Sequence, residues 1–392
     1  MTLTYLHPDN KDKPYVDWRL PENRMEGFLR WLKWRLKWCD LDHYLCNNTY
    51  RDSSLSSHRE PMTVEQTYWF SLIFGTTYQS EMSWVIYNEF PNFEDIDLEK
   101  LQEWNVKNMT RQKYARDCKY NKGRITQQVQ SMQENISPYG SIQSYFENLC
   151  DDDPHASFTR VYDTLRENFH KFGRMTSWLA CQTLHETAGL PIQPDNMLAS
   201  DPTSWSVRSG LMYAYNRDDL IEAKNKKLRL SSEDISWVKY KEQELMDISM
   251  EYVGDDYSEV LTHYLLESHL CQYKKLMLGG DYAGHSSGDH VSRATWLADQ
   301  WSEVPFESFF SEVIQGHHPL VRGKRENKGM RFLCCKTGQM INLHQDYDDM
   351  PDIYKEMEID PSWLDDSGPK SDKLVLDRIQ VYSEKQGSQI AV

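Results

Sequence analysis

No CxxC pair and no zinc-type or cluster-type spacing occurs among the eight cysteines, at positions 39, 46, 118, 150, 181, 271, 334 and 335. A closed four-ligand metal site is therefore not expected. Adjacent Cys334 and Cys335 would supply half of one, with no His or Cys pair nearby to complete it; reduced thiols in a cytoplasm are the expectation. The chain also lacks any run of about 18 apolar residues, and its start, MTLTYLHPDNKDKPY, has neither a basic n-region nor an apolar h-region. Neither a membrane span nor a secretion signal is expected. A phosphate-binding GxxxxGKS/T loop is missing, which argues against a kinase, and there is no internal repeat or low-complexity tract. Positive charge is in deficit, with 44 Lys and Arg against 60 Asp and Glu and a net charge of -16. That balance excludes a general nucleic-acid coat, because phosphate binding needs positive potential where contact is made.

Aromatic residues are abundant at 12%, including 13 Trp and 23 Tyr, enough large apolar surface to fold a chain of which 27% is charged. At 392 residues a single core is too small, so two lobes are predicted within 1–345, roughly 1–122 plus 216–345, and 123–215. Acid gathers after Asp346, where nine carboxylates lie between Asp346 and Asp366, and 346–392 is expected to be a loosely attached tail. Base gathers in two places. Lys107, Arg111, Lys113, Arg116, Lys119, Lys122 and Arg124 have only Asp117 among them, and Arg322, Lys324, Arg325, Lys328 and Arg331 form the second group. Each is either a solvated face or a local anion-binding surface.

Apolar periodicity predicts a mainly α fold. Residues 23–45 interleave Trp31, Trp34 and Trp38 with Arg30, Lys33, Arg35 and Lys37, a helix whose indoles either pack into a lobe or lie on a membrane surface; packing is favoured, since no lipid anchor accompanies it. Residues 64–90 are apolar all round and read as a central buried helix, with Gly75 marking a break or a tight contact. Further helices are predicted at 97–118, 123–135, 141–149, 156–171, 174–188, 203–215, 231–252, 256–278, 291–301 and 306–314. Only 330–343 reads as strand, with Lys336–Gly338 available for a hairpin turn.

The segment 170–213 carries the most chemistry. A glycine turn precedes a helix stopped at Gly189, and the extended run Pro191-Ile192-Gln193-Pro194 then leads to Asp195. Two prolines hold the chain just before a carboxylate, so the acid is fixed at low entropic cost. Asp195 is either a cap for the following turn or a positioned acid. On the predicted 256–278 helix, Val260, Tyr264, Glu267, Cys271 and Lys274 share one stripe, and Arg208 falls on a stripe with Trp205, Met212 and Tyr215. Charges that interrupt apolar stripes must be paired or must face a cavity, so Glu267, Lys274 and Arg208 mark either salt bridges or a pocket.

The stretch around Gly173, Thr176, Ser177, Gly189, Pro191, Pro194 and Asp195 resembles helix-hairpin-helix DNA glycosylases, in which a glycine hairpin, a helix and a Gly-x-Pro stretch deliver a catalytic Asp. Lys171 stands where the hairpin's other glycine would be, and no catalytic lysine of the bifunctional enzymes is evident. A broader resemblance runs to about residue 345. FGRMTSW, GLPIQPD, SVRSGLMY, ESHLCQYKK and DYAGHSSGD, in that order, are similar to the phage amino acid:DNA transferases, also called α-glutamyl/putrescinyl thymine pyrophosphorylases. That resemblance implies a bilobal helix-hairpin-helix glycosylase-like fold in the cytoplasm of an infected bacterium. It also implies a reaction in which the amine of an amino acid or polyamine displaces pyrophosphate from 5-pyrophosphoryloxymethyluracil in double-stranded phage DNA.

Under that resemblance, the expected catalytic residues are Asp195, Glu267 and Lys274, with Asp195 as general base or as a stabiliser of positive charge at the methylene. Arg208, Lys274 and Lys275 would hold the pyrophosphate or a donor carboxylate, and Tyr282 and Asp289 of DYAGHSSGD are expected on the substrate side. Gly173, Arg174, Thr176, Lys113 and Arg116 are expected at the DNA backbone, with the target base flipped among Trp and Tyr side chains. No metal and no resident cofactor is expected; Mg²⁺ carried with pyrophosphate stays open. A base-excising glycosylase and a non-catalytic phage DNA-binding protein are the alternatives.

Overall fold

The computed structural model describes residues 21–37, 61–115, 118–221, 230–258, 260–277 and 296–302, together with short strands near both ends. The described residues are mainly helical. Two small antiparallel sheets accompany the helices: one pairs Tyr5–Leu6 with Pro14–Tyr15, and the other pairs Arg331–Cys334 with Val321–Arg322 and Met340–Asn342. The turn of the expected hairpin, the 306–314 helix and the acidic tail lie outside the described residues.

The chain divides into two units. The first comprises 1–40, 196–292 and 312–392, and the second 41–195 and 293–311. The cut after Asp195 differs from the lobe limits of 122 and 215 sketched from sequence. Its physical reason lies within the first unit, where helix α9 (Trp205–Ala214) packs on α12 (His263–Met277). A Cβ on Gly210 would overlap the Leu270 carbonyl oxygen and lie 2.7 Å from its carbon. Only a glycine lets the two backbones approach this closely.

In the second unit, α2 (Val64–Thr77) opens with a reciprocal cap between Thr63 and Gln66 and is buried from Thr67 to Thr77. The expected single helix over 64–90 is two, because Tyr78 turns left-handed at φ 53° and α3 (Ser80–Glu89) starts afresh. Gly75 is the tight contact and not the break. A Cβ there would stand 2.8 Å from both the Ala180 side chain and the Thr176 carbonyl of α8 (Arg174–Glu186). Around this pair lie α4 (Leu98–Asn108), α5 (Ile125–Ile136), α6 (Ile142–Glu147) and α7 (Pro154–Asn168). Helix α4 ends ten residues before the expected 118. Asp97 caps its start and Asp153 caps α7, with Pro154 at the first helical position.

The first unit adds α1 (Arg24–Lys37), α10 (Ser232–Val253) and α11 (Asp255–Ser258). Helix α1 buries Phe28, Trp31, Leu32 and Leu36, so its described apolar face is packed within the protein. The Phe28 ring centroid lies 5.1 Å from Tyr273, and Trp31 lies 5.4 Å from His269. Tyr273 donates its hydroxyl to the Arg24 carbonyl at 2.8 Å, while the Arg24 guanidinium grips Asp218 with two hydrogen bonds. The expected 256–278 helix is interrupted, and Val260 falls in the turn before α12, 43% exposed. Among the described residues, no helix is long and apolar enough to cross a membrane.

Candidate functional site

The Gly210–Leu270 crossing sets the first turn of α9 beside the last turns of α12. Ser206 Oγ lies 3.0 Å from Cys271 Sγ and accepts a 2.8 Å hydrogen bond from Lys274 Nζ. The same ammonium stands 3.6 Å from the centroid of the Trp205 ring. Trp205 is 48% exposed and Lys274 6%, so the indole roofs the ammonium, whose charge meets the negative face of the ring. Trp205 is thus on the surface, off the buried stripe predicted for it. Burial pushes the Cys271 thiol up from its ordinary range, and Glu267 adds to this against the opposing pull of Lys275 and Lys274. A thiol so held stays protonated and is a weak nucleophile. Glu267 is buried on the same helix and Lys275 is exposed.

Arg208 is 2% exposed. Its Nη1 donates to the carbonyls of Ala199, at 3.3 Å, and Asp201, at 3.1 Å, tying the 199–201 loop to α9. Glu242 Oε1 accepts the Ala199 N–H at 2.8 Å and Asn196 Oδ1 accepts that of Leu198 at 2.8 Å. The loop opening this part of the first unit is therefore fixed by side chains rather than by regular structure.

Asp195 closes the main stretch of the second unit and is exposed. The chain reaches it as the sequence suggests. Helix α8 ends with Gly189 at φ 77°, its N–H on the His185 carbonyl and the Leu190 N–H on that of Leu184. The extended segment is then clamped to the start of α7. Gln193 donates its N–H to the Pro154 carbonyl at 3.0 Å, and its own carbonyl lies 2.8 Å from His155 Nδ1. Ile192 and Pro194 are buried, so the two residues nearest Gln193 anchor the run.

At the other end of α8, Gly173 has φ -83°, which any residue adopts, and a Cβ there would meet no atom within 4 Å. The left-handed residue of this turn is Lys171, at φ 59°. Arg174 is 9% exposed with its guanidinium 5.6 Å from the Trp178 ring, and Thr176 is 2% exposed. Both side chains are packed inside the unit rather than displayed on its surface. His170 donates its N–H to Ser131 Oγ at 2.8 Å. Burial, then Lys171 and Arg124, hold its imidazole below the ordinary histidine range.

Of the basic segment, Arg111 is engaged internally. Its guanidinium lies 3.8 Å from the Trp301 ring centroid and also donates to Asn108 and to the Gln300 carbonyl. Lys113 Nζ is 5.4 Å from the Trp296 ring, while Lys107, Lys119 and Arg124 are exposed. Arg116, Tyr282 and Asp289 lie outside the described residues. Sequence reasoning missed Trp205 and Ser206 as neighbours of Lys274, and the unsatisfied Ser204 just before them; the signal available was a serine just ahead of a predicted helix. Among the described residues, no group of three His, Cys, Asp or Glu side chains could hold a metal ion.

A model of the family described as amino acid:DNA transferase matches residues 51–282. A serinyltransferase of Salmonella phage ViI is 24% identical over 217 residues, which are 54% of this chain and 53% of that protein. The chain thus spans about half the length of the curated relative it matches. No solved structure matches it.

Proposed function

Since its residues 51–282 match the family model, this chain belongs to the amino acid:DNA transferase family, and on that premise we propose that it attaches an amino acid, through its amine, to a modified thymine in phage DNA. The proposed acceptor is 5-pyrophosphoryloxymethyluracil. The amine nitrogen forms a bond to the 5-methylene carbon, the carbon–oxygen bond to the diphosphate breaks with its electron pair, and pyrophosphate leaves. The proton lost by the donor ammonium goes to a base and then to water. Because the phage ViI relative is named a serinyltransferase, serine is the donor to test first.

Roles are proposed residue by residue. Asp195 suits the base: it is a carboxylate open to solvent at the end of a clamped segment, so it can receive a proton and release it again. Lys274 suits stabilisation of anionic charge, since an ammonium removed from bulk water acts more strongly on a nearby anion than an exposed one. Glu267 and Lys275 are proposed to set the field around Lys274, and Arg208 to hold the 199–201 loop. Lys119 and Arg124, together with Lys113 and Arg116, are proposed to follow the DNA backbone. The family match over 51–282, which includes both Asp195 and the α9–α12 crossing, carries the reading.

The test is to incubate the protein with duplex DNA containing 5-pyrophosphoryloxymethyluracil and a mixture of amino acids and polyamines, and to weigh the nucleosides after digestion. A new nucleoside carrying serine, reduced about 10²-fold or more in Asp195→Asn, is the expected result. Free base released in place of an adduct would make the protein a glycosylase, and unchanged nucleosides on bound DNA would make it a binding protein.

A further inference from the structure

We propose that the first turn of α9 is a receptor for a phosphoryl anion, held by the Ser204 hydroxyl, the helix's leading N–H groups and the Lys274 ammonium. As the seat of the departing diphosphate, the assignment rests on the transfer reaction above; as an anion site, it stands on the geometry alone.

Helix α9 runs ten residues from Trp205, with Ser204 as its N-cap residue. A serine in that place ordinarily turns its hydroxyl onto the N–H of the second or third helical residue. Here it does not: Ser204 has φ -89° and ψ 28° and makes no such bond, and the first turn contains no acidic residue. The residue is nevertheless 1% exposed, and its buried hydroxyl has no hydrogen-bond partner. A buried hydroxyl left unsatisfied is costly, and this one sits at the mouth of a helix whose leading N–H groups and dipole favour negative charge.

A second observation independent of Ser204 points the same way. Lys274 comes from another helix, yet its ammonium is delivered to this turn, 2.8 Å from Ser206 Oγ and 3.6 Å from the Trp205 ring. The one carboxylate described in the preceding turn, Asp201, accepts from the N–H and hydroxyl of Thr203, at 2.7 and 2.5 Å, and so is turned to its own loop. The donors differ in kind as well as in origin. They are a point-like ammonium, hydroxyls and fanned backbone N–H groups, with the Arg208 Nη1 occupied by the Ala199 and Asp201 carbonyls. That set suits the tetrahedral oxygens of a phosphate, whereas a planar carboxylate is best gripped by a guanidinium fork.

The experiment is calorimetric titration of the full chain with inorganic pyrophosphate, for the wild type, Ser204→Asp and Lys274→Gln, with thermal unfolding of each. Ser204→Asp places a negative charge where the anion would sit, and thermal unfolding checks that the variant is folded at the titration temperature. Its pyrophosphate affinity is expected to fall 30-fold or more, and Lys274→Gln to fall about tenfold. Parallel titrations use inorganic phosphate, serine and an unmodified DNA duplex. Absence of pyrophosphate binding at millimolar concentration, or equal binding by Ser204→Asp, overturns the proposal. Stronger binding of serine that Ser204→Asp abolishes would make this a carboxylate site, and displacement of pyrophosphate by unmodified duplex would make it a DNA-backbone site; either overturns the assignment to a free phosphoryl anion. The transfer assay separates the two readings. A wild type that binds pyrophosphate through Ser204 and transfers nothing keeps the anion site and loses the transferase, whereas Ser204→Asp transferring at the wild-type rate removes the anion site from the reaction.

Discussion

His170 shows how a single side chain in this protein converts burial into pH dependence. Its imidazole is depressed by desolvation first and by Lys171 and Arg124 after that. A histidine whose folded pKa lies below its unfolded one resists protonation only in the native state, so the unfolded chain binds more protons as the pH falls below about 6.5. Stability is then retained above that pH and lost as the pH falls from it toward the lower folded pKa. His170→Asn should therefore flatten the unfolding temperature of the protein between pH 7 and pH 5 relative to wild type; parallel curves would remove His170 as the cause. Asp195 is a contrasting position. The carboxylate is exposed and its backbone is held two residues earlier, at Gln193, so Asp195→Asn should leave the unfolding temperature within about 1 °C, the scale of a surface substitution.

Among the elements, the two packing glycines give predictions of different size. Gly210→Ala drives a methyl into the Leu270 backbone, where nothing flexible can yield, and should cost about 3 kcal/mol, the upper end for overpacking. Gly75→Ala meets Ala180 and the Thr176 carbonyl at 2.8 Å and should cost about 1–2 kcal/mol. Native-state hydrogen exchange would read the first loss in α9 and α12 and the second in α2 and α8. The same glycines show what the sequence made legible. A period of 3.6 located α5, α7 and α10 to within a few residues, because each buries one face, and α8 was bracketed by Gly173 and Gly189. Helix α2 has no such single face, so nothing in its pattern separated it from α3, and the left-handed Tyr78 that divides them is not a residue type that announces such a turn. The extended run before Asp195 was legible from its prolines, which restrict the chain wherever it is packed. The occupation of Arg208 by two carbonyls was not, since the acceptors a buried guanidinium finds are a matter of tertiary structure. Arg174 and Thr176 look alike from sequence whether they face solvent or the interior of a helix pair.

For the molecule as a whole, the charge of -16 makes any DNA contact depend on local positive surface. Arg111 is spent on Trp301 and the Gln300 carbonyl, whereas Lys119 and Arg124 are exposed. If those two meet phosphates, Lys119→Gln with Arg124→Gln should reduce the slope of log affinity against log salt by about 2, at roughly 0.9 per phosphate contact. Arg111→Gln should instead lower stability and leave the slope alone. Fluorescence titration of a labelled duplex at several salt concentrations distinguishes them, and an unchanged slope in the double variant would move the interface elsewhere.

The hydrogen bond from Tyr273 to the Arg24 carbonyl joins positions 249 residues apart. A ribosome adding about 5–20 residues each second needs roughly 10–50 s to make that intervening chain, and throughout that interval the buried face of α1, with Phe28, Trp31 and Leu32, has emerged without the helix that covers it. Helices α2 to α8 of the second unit are all made during the wait, although that unit is completed only by residues 293–311; the first unit lacks α12 until the end of it. Synthesis of this protein therefore exposes a nascent aromatic helix for most of the translation time, which makes α1 the segment that chaperones must shield and that mistimed translation would send to aggregation.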